Sequence, residues 1–250
     1  IAQPHVFGTC FIKLREEYNY DSDDVSDSDS DQNYVFMDTN IDRIVANGDF
    51  QWTKTMHIVL LWPFNPLAYI SEIINKLETK NADWSSVAKL TIWLTSSTFD
   101  KDTEMPKNES IDNAVKEAAH VFLQLFPNIA RLNIHAYTLN GLAEIFVSQL
   151  SNYYAPQLRA FKCNIPISLS HLHFTNTLMH VDLQFGPETS SLLSQVHAGS
   201  LKSIVLSNLS SDFTWRYFIG DGADGKNDIT FHQLETLSLS YAGQLNSKYR

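Results

Sequence analysis

The 250-residue chain predicts an α/β fold, a solenoid with parallel strands and irregular repeats. Three observations carry this. A short unit, an apolar residue followed by two variable residues and then alternating apolar positions, recurs seven times in order. The longer intervals between units hold apolar stripes at helical spacing. The 9 glycines give one GxGxxG spacing, Gly220-Asp-Gly222-Ala-Asp-Gly225, in a polar stretch that reads as a loop and not as a strand-to-helix turn, and no GxxxxGKS/T, so the rival doubly wound sheet lacks the phosphate-holding turn that would support its function. The strands are also half-polar, whereas a doubly wound sheet favours continuous apolar runs.

The units run in this order. Thr53-Lys-Thr-Met56-His-Ile58-Val-Leu60 is the weakest copy, and Val87-Ala-Lys-Leu90-Thr-Ile92-Trp-Leu94 is the clearest. Ile129-Ala-Arg-Leu132-Asn-Ile134 and Leu158-Arg-Ala-Phe161-Lys-Cys163 follow Pro127-Asn128 and Pro156-Gln157. Leu178-Met-His-Val181-Asp-Leu183, Leu201-Lys-Ser-Ile204-Val-Leu206 and Leu234-Glu-Thr-Leu237-Ser-Leu239 complete the series. Period-two alternation makes a strand with one buried face, and the leading apolar residue turns the incoming chain into the same core. The first strand positions are 56, 90, 132, 161, 181, 204 and 237, separated by 34, 42, 29, 20, 23 and 33 residues. Leucine-rich repeats run at roughly 20 to 29 residues, so three gaps fit and three carry extra length. The expectation is a leucine-rich-repeat-like domain over residues 51–250.

The extra length reads as helix. Asn65-Pro66 offers a capping side chain and a proline at the first helical position, before Leu67, Ile70, Ile73, Ile74 and Leu77 on one face. Ser110 opens a second helix with the stripe Ile111, Val115, Ala118, Phe122 and Leu125, and Leu142, Ile145, Phe146 and Leu150 mark a third. Thr189 to His197 suggests a shorter helix, and Ser211 to Ile219 a helix or an irregular turn. Thr98 to Glu109 and Gly220 to Asp228 read as loops. Strand alternating with helix implies a parallel sheet.

Residues 1–50 read as an N-terminal segment that includes a disordered acidic loop at about residues 20–33. Between Asp21 and Asp31 the sequence is DSDDVSDSDSD, whose six Asp leave the rest of the chain at −4 out of a net −10. One apolar residue among repelling carboxylates cannot offset the entropy of ordering. Ser26 and Ser28 each precede an Asp by three residues, the pattern acid-directed kinases prefer, so both are candidate phosphorylation sites. The plainer alternative is a solvated insertion.

The acidic balance and the pI of about 5.3 argue against nucleic acid as the main ligand, since phosphate binding needs a basic surface. They argue equally against a polybasic membrane anchor, and no apolar run is long enough to span a bilayer. The two cysteines, Cys10 and Cys163, do not suggest a disulfide scaffold. Cys163 falls at a core strand position and reads as a buried small apolar residue. His171, His173 and His180 lie close in sequence, but no Cys or carboxylate shares their spacing, so no metal is expected. Aligning Gly225 with the turn glycine of an EF-hand puts Gly220 and Gly222 where carboxylates are required. No GxSxG, HExxH or CxxC occurs. Catalytic residues, cofactors and metal ligands are therefore all expected to be none.

The expected site is a face. If Leu90, Ile92 and Leu94 point inward, Thr91 and Trp93 point outward, and the same parity exposes Asn133 and His135, Lys162 and Asn164, and His180, Asp182 and Gln184. Ser238 and Ser240 follow the same parity. Trp93 among polar neighbours suggests an interface anchor; packing under a loop is its alternative.

The units at Pro127-Asn-Ile-Ala-Arg-Leu132-Asn-Ile134, Pro156-Gln-Leu-Arg-Ala-Phe161, Gly199-Ser-Leu-Lys-Ser-Ile204-Val-Leu206 and His232-Gln-Leu-Glu-Thr-Leu237-Ser-Leu239 resemble those of the F-box/leucine-rich-repeat proteins, in their divergent fungal type. Ile1-Ala-Gln-Pro4-His-Val-Phe7 is similar to the stretch that follows an F-box. The resemblance covers roughly residues 50 to 243, and departs from the family where the asparagine expected after each strand is mostly missing; Asn208 is an approximate match. It implies a non-catalytic, substrate-recognising solenoid of an SCF-type ubiquitin ligase adaptor, cytoplasmic or nuclear. Its partner would be a protein bound on the concave face, and a Skp1-type linker would engage only through an F-box outside these residues. A leucine-rich scaffold unrelated to ubiquitin is the alternative reading, and an α/β enzyme domain the less favoured one.

Overall fold

Alternating and helical periodicities at these spacings build one sheet with helices against it. The computed structural model describes residues 9–17, 33–37, 40–62, 66–78, 82–96, 109–136, 141–164, 174, 177–184, 200–209 and 231–241. Several expectations lie outside the described residues: the acidic loop with Ser26 and Ser28, His171 and His173, the helix at 189–197, the segment 211–219, and the loops at 98–108 and 220–228.

The strands are β1 (Thr9–Glu17), β2 (Asn33–Met37), β3 (Thr55–Trp62), β4 (Lys89–Ser96), β5 (Arg131–Ala136), β6 (Ala160–Cys163), β7 (His180–Gln184), β8 (Ser203–Leu209) and β9 (Thr236–Tyr241). They form a single open sheet in the order β2-β1-β3-β4-β5-β6-β7-β8-β9. The β1–β2 pair is antiparallel and every other pair is parallel. From β4 onward each strand lies beside its predecessor in sequence. A doubly wound sheet reverses direction part-way; here the order turns once, at β1, which has its antiparallel partner β2 on one side and β3 on the other, and from β3 to β9 it runs one way.

All seven predicted units are strands, and their first positions stand in one column: Met56, Leu90, Leu132, Phe161, Val181, Ile204 and Leu237 are successive register partners. Cys10 of β1 joins the same column beside Met56. The segment before residue 51 therefore contributes two strands to the sheet.

Residues of the column and those two positions on face the core. From Cys10 and Ile12 to Ile204 and Leu206 they are buried. The helices supply the other wall, namely α1 (Ile41–Asn47), α2 (Pro66–Glu78), α3 (Glu109–Leu125) and α4 (Gly141–Tyr154). In α2, Ile73, Ile74 and Leu77 are buried as the stripe predicts. In α3 the buried stripe is Val115, Ala119, Phe122 and Leu123, while Ala118 and Leu125 are half-buried. The predicted face was thus rotated, because Phe126 just beyond the helix is wholly buried and stacks in a tilted pair with Phe122 at 5.1 Å. The seven-residue α1 was not predicted; Gly48 ends it in the left-handed region at φ +70°, which glycine adopts without a Cβ penalty.

Buried polar groups fasten the helix ends. Trp84 Nε1 donates to the Leu77 carbonyl at 3.1 Å, satisfying an orphan acceptor near the end of α2. The Tyr154 hydroxyl, at the end of α4, donates to the Phe126 carbonyl at 2.9 Å.

The N-terminal ends of the strands repeat one arrangement. The carbonyls of Lys54, Ala88, Ala130, Arg159, Met179 and Lys202 each accept two consecutive backbone N–H groups from the next strand. A hydroxyl one position before the leading apolar residue adds a bond. Ser86, Thr177 and Ser200 donate to the carbonyls of Thr53, Leu158 and Leu178, the leading residues of the preceding units, at 2.9, 3.0 and 2.9 Å. Those leading residues are fully buried. Among the described residues no helix is long and apolar enough to cross a membrane.

Candidate binding face

Because side chains alternate across a strand, the positions between core residues form a second face. Register partners set it out as rows. One row runs Phe11, His57, Thr91, Asn133, Lys162, Asp182, Val205 and Ser238. Beside it run Val59, Trp93 and His135, with Gln184 opposite Ser207. The structure thus puts Trp93, Asn133, His135, Lys162, Asp182 and Gln184 on one face, as the alternation predicts, and Asn164 directly after β6 is exposed. Thr91 departs from the expectation. It lies on this face but is only 3% exposed, and Asn133 donates to its hydroxyl at 3.4 Å.

Aromatic stacking organises the β1–β5 part. Trp93 and His135 stack with centroids 4.1 Å apart and planes at 13°. Phe11 and His57 form a second stack at 4.7 Å and 14°. Trp93 is 37% exposed and Phe11 46%, so each stack keeps apolar surface in contact with water. Such pairs contribute about 0.5–1.5 kcal/mol beyond area burial and hold the indole in one orientation.

Burial holds the His57 imidazole below its ordinary pKa, helped by Lys89 and by His135. His135 is lowered in the same way, by burial first and then by Lys162, with Asp182 opposing. Both rings are therefore held toward the neutral state. Toward β7, Lys162 Nζ donates to Asp182 Oδ2 across adjacent strands. Asn164 accepts from the Ala136 N–H at 2.7 Å and donates to its carbonyl at 3.0 Å. Its amide prolongs the β5–β6 ladder past the last paired residues. Asn40 does the same for β1, accepting from Phe11 N–H at 2.8 Å and donating to the Thr9 carbonyl at 3.0 Å.

Sequence reasoning missed three features of this face. Phe11 was missed because β1 was not recognised as a unit, although Phe7-Gly-Thr-Cys10-Phe-Ile12-Lys-Leu14 carries the same spacing with a cysteine at the marker position. His57 belongs to the weakest unit and had not been assigned to the face. The third is charge: the expected face was mixed and polar, with no basic character. Lys89 and Arg131, 42 residues apart in sequence, are direct register partners on this face. Only strand registration makes them neighbours.

Elsewhere, Lys116, His120, Leu123, Gln149, Asn152 and Tyr153 line an open groove of about 380 Å³ between α3 and α4. Among the described residues no three His, Cys, Asp or Glu side chains gather where they could hold a metal. Cys10 and Cys163 are both buried and neither forms a disulfide; burial pushes the Cys10 thiol up to about 12. No family model, no curated protein and no solved structure matches this chain.

Proposed function

We propose that the chain is a leucine-rich-repeat-like solenoid that binds a protein on its outer sheet face and catalyses nothing itself. The observation that carries this reading is the column of unit markers, in register from Met56 to Leu237 across strands in sequence order. A sheet of this kind presents a broad face of side chains rather than a closed pocket, the form suited to a protein partner. Trp93 is the anchor, because an exposed indole held by a stack is a rigid contact with little side-chain entropy left to lose. In its fullest form the proposal is the substrate-recognition part of an F-box-type ubiquitin ligase adaptor acting inside the cell, in the cytoplasm or nucleus.

Two measurements test this. Pull-down of partners with the native chain and with Trp93→Ala should show clear loss in the variant, and unchanged recovery would remove Trp93 as the anchor. The full-length reading frame should encode an F-box, and the full-length protein should co-precipitate a Skp1-type linker. Absence of an F-box there would leave a leucine-rich scaffold with no ubiquitin role.

A further inference from the structure

The face carries cations side by side within a chain of net charge −10. Lys89 and Arg131 are register partners on adjacent parallel strands, a spacing of about 4.8 Å at which like charges are destabilising. Lys54 and Arg159, both exposed, lie just outside the N-terminal ends of β3 and β6. The nearby carboxylates are engaged elsewhere. Asp182 is held by Lys162, and Asp83, in the turn before β4, accepts from the Ser85 N–H at 2.9 Å. Among the described residues no carboxylate pairs with Lys89 or Arg131. Two strands further toward the C-terminus the same face is neutralised; at β4 and β5 it is not.

Uncompensated cations and an exposed stack on the same pair of strands form a composite site that an extended segment can span. A guanidinium grips a carboxylate through two parallel N–H donors and an ammonium through one. The Trp93–His135 stack, two rows along the same strands and beyond the Thr91–Asn133 row, about 13 Å away, offers a flat apolar surface. We propose that the β3–β6 part of this face binds an acidic protein segment, its carboxylates pairing with Lys89 and Arg131 while an apolar or aromatic side chain covers the Trp93–His135 stack. This rests on the reading of the outer face as the binding surface and adds the chemistry of its partner. An acidic polypeptide is favoured over nucleic acid because a phosphate backbone needs an extended basic surface, which a chain of net charge −10 does not offer, whereas a few carboxylates are matched by Lys89 and Arg131 alone.

The test uses the full chain and fluorescence anisotropy. The probes are a short fluorescein-labelled peptide of alternating glutamate and tyrosine, a lysine–tyrosine peptide, and an oligouridylate of equal length. The acidic peptide should bind, weaken as salt rises, and lose roughly tenfold in affinity in the Lys89→Glu/Arg131→Glu variant. Both positions are solvent-facing, and an unchanged thermal melt should show that the variant folds. No binding of the acidic peptide, or equal binding by the native chain and the charge-reversed variant, would overturn the proposal. Tighter binding of the oligouridylate would overturn it in favour of nucleic acid. In partner pull-down, loss with Trp93→Ala but not with the charge reversal would keep the binding face and discard its acidic partner. No loss with either would discard the face itself.

Discussion

His57 and His135 are each clamped against an aromatic ring and beside a lysine, and their protonation is linked to the stability of the chain. Burial and the neighbouring Lys89 or Lys162 lower both imidazoles from their ordinary value of 6.5. A group whose folded pKa is depressed takes up its proton in the unfolded chain first. The stability it contributes is therefore complete above about pH 6.5 and is lost as pH falls through the folded value. The native chain should melt at a lower temperature at about pH 5.5 than at about pH 7.5. His57→Gln/His135→Gln should flatten that dependence. Asp83, lowered by its bonds to Ser85, acts in the same direction only below the carboxylate range, so the two windows separate. An identical pH slope in the double variant would refute the assignment.

At the scale of elements, asparagine side chains extend the hydrogen-bond ladder where strands run out. The paired residues of β5 and β6 end at Ile134 and Cys163, and the Asn164 amide then satisfies both main-chain groups of Ala136. Asn164→Ala should cost about 1–2 kcal/mol and speed amide exchange at Ala136 while leaving that at Leu132 unchanged. Protection at Ala136 equal to the native level would show that the side chain does not carry the bond. This element also marks what was legible in the sequence. Alternation gave seven strands and the parity of Trp93, His135 and Lys162, because a period of two needs only local residues. β1 escaped because Cys10 occupies a place where the other units have Met, Leu, Phe, Val or Ile. The stacks, the buried Thr91 and the Lys89–Arg131 pair escaped for a different reason. Each depends on which residue of the next strand lies opposite, and intervals of 20 to 42 residues do not reveal that until hydrogen bonds fix the register.

At the scale of the whole molecule, burial is not uniform along the sheet. Positions of the marker column in β3 to β8 are buried under 2% exposed, whereas Leu237 of β9 is 45% exposed and Tyr241 is 44% exposed. Because each strand from β4 onward is flanked by its neighbours in sequence, a defect in β9 bears on β8 alone, while one in β5 undermines both β4 and β6. Leu132→Ala removes wholly buried methyl groups and leaves a cavity, for which about 2–5 kcal/mol is expected. Leu237→Ala, the same substitution in the same column, removes surface that is already half in water, and less than about 1 kcal/mol should follow. Chains whose strands meet only sequence neighbours also lose structure from their weaker parts first. Native-state hydrogen exchange should therefore release the amides of β9 well before those of β4 and β5, and denaturant titrations of the two variants should differ by at least about 1 kcal/mol. Equal losses for Leu132→Ala and Leu237→Ala, with exchange uniform along the sheet, would mean that the strands rise and fall as one cooperative unit and that position along the sheet does not set local stability.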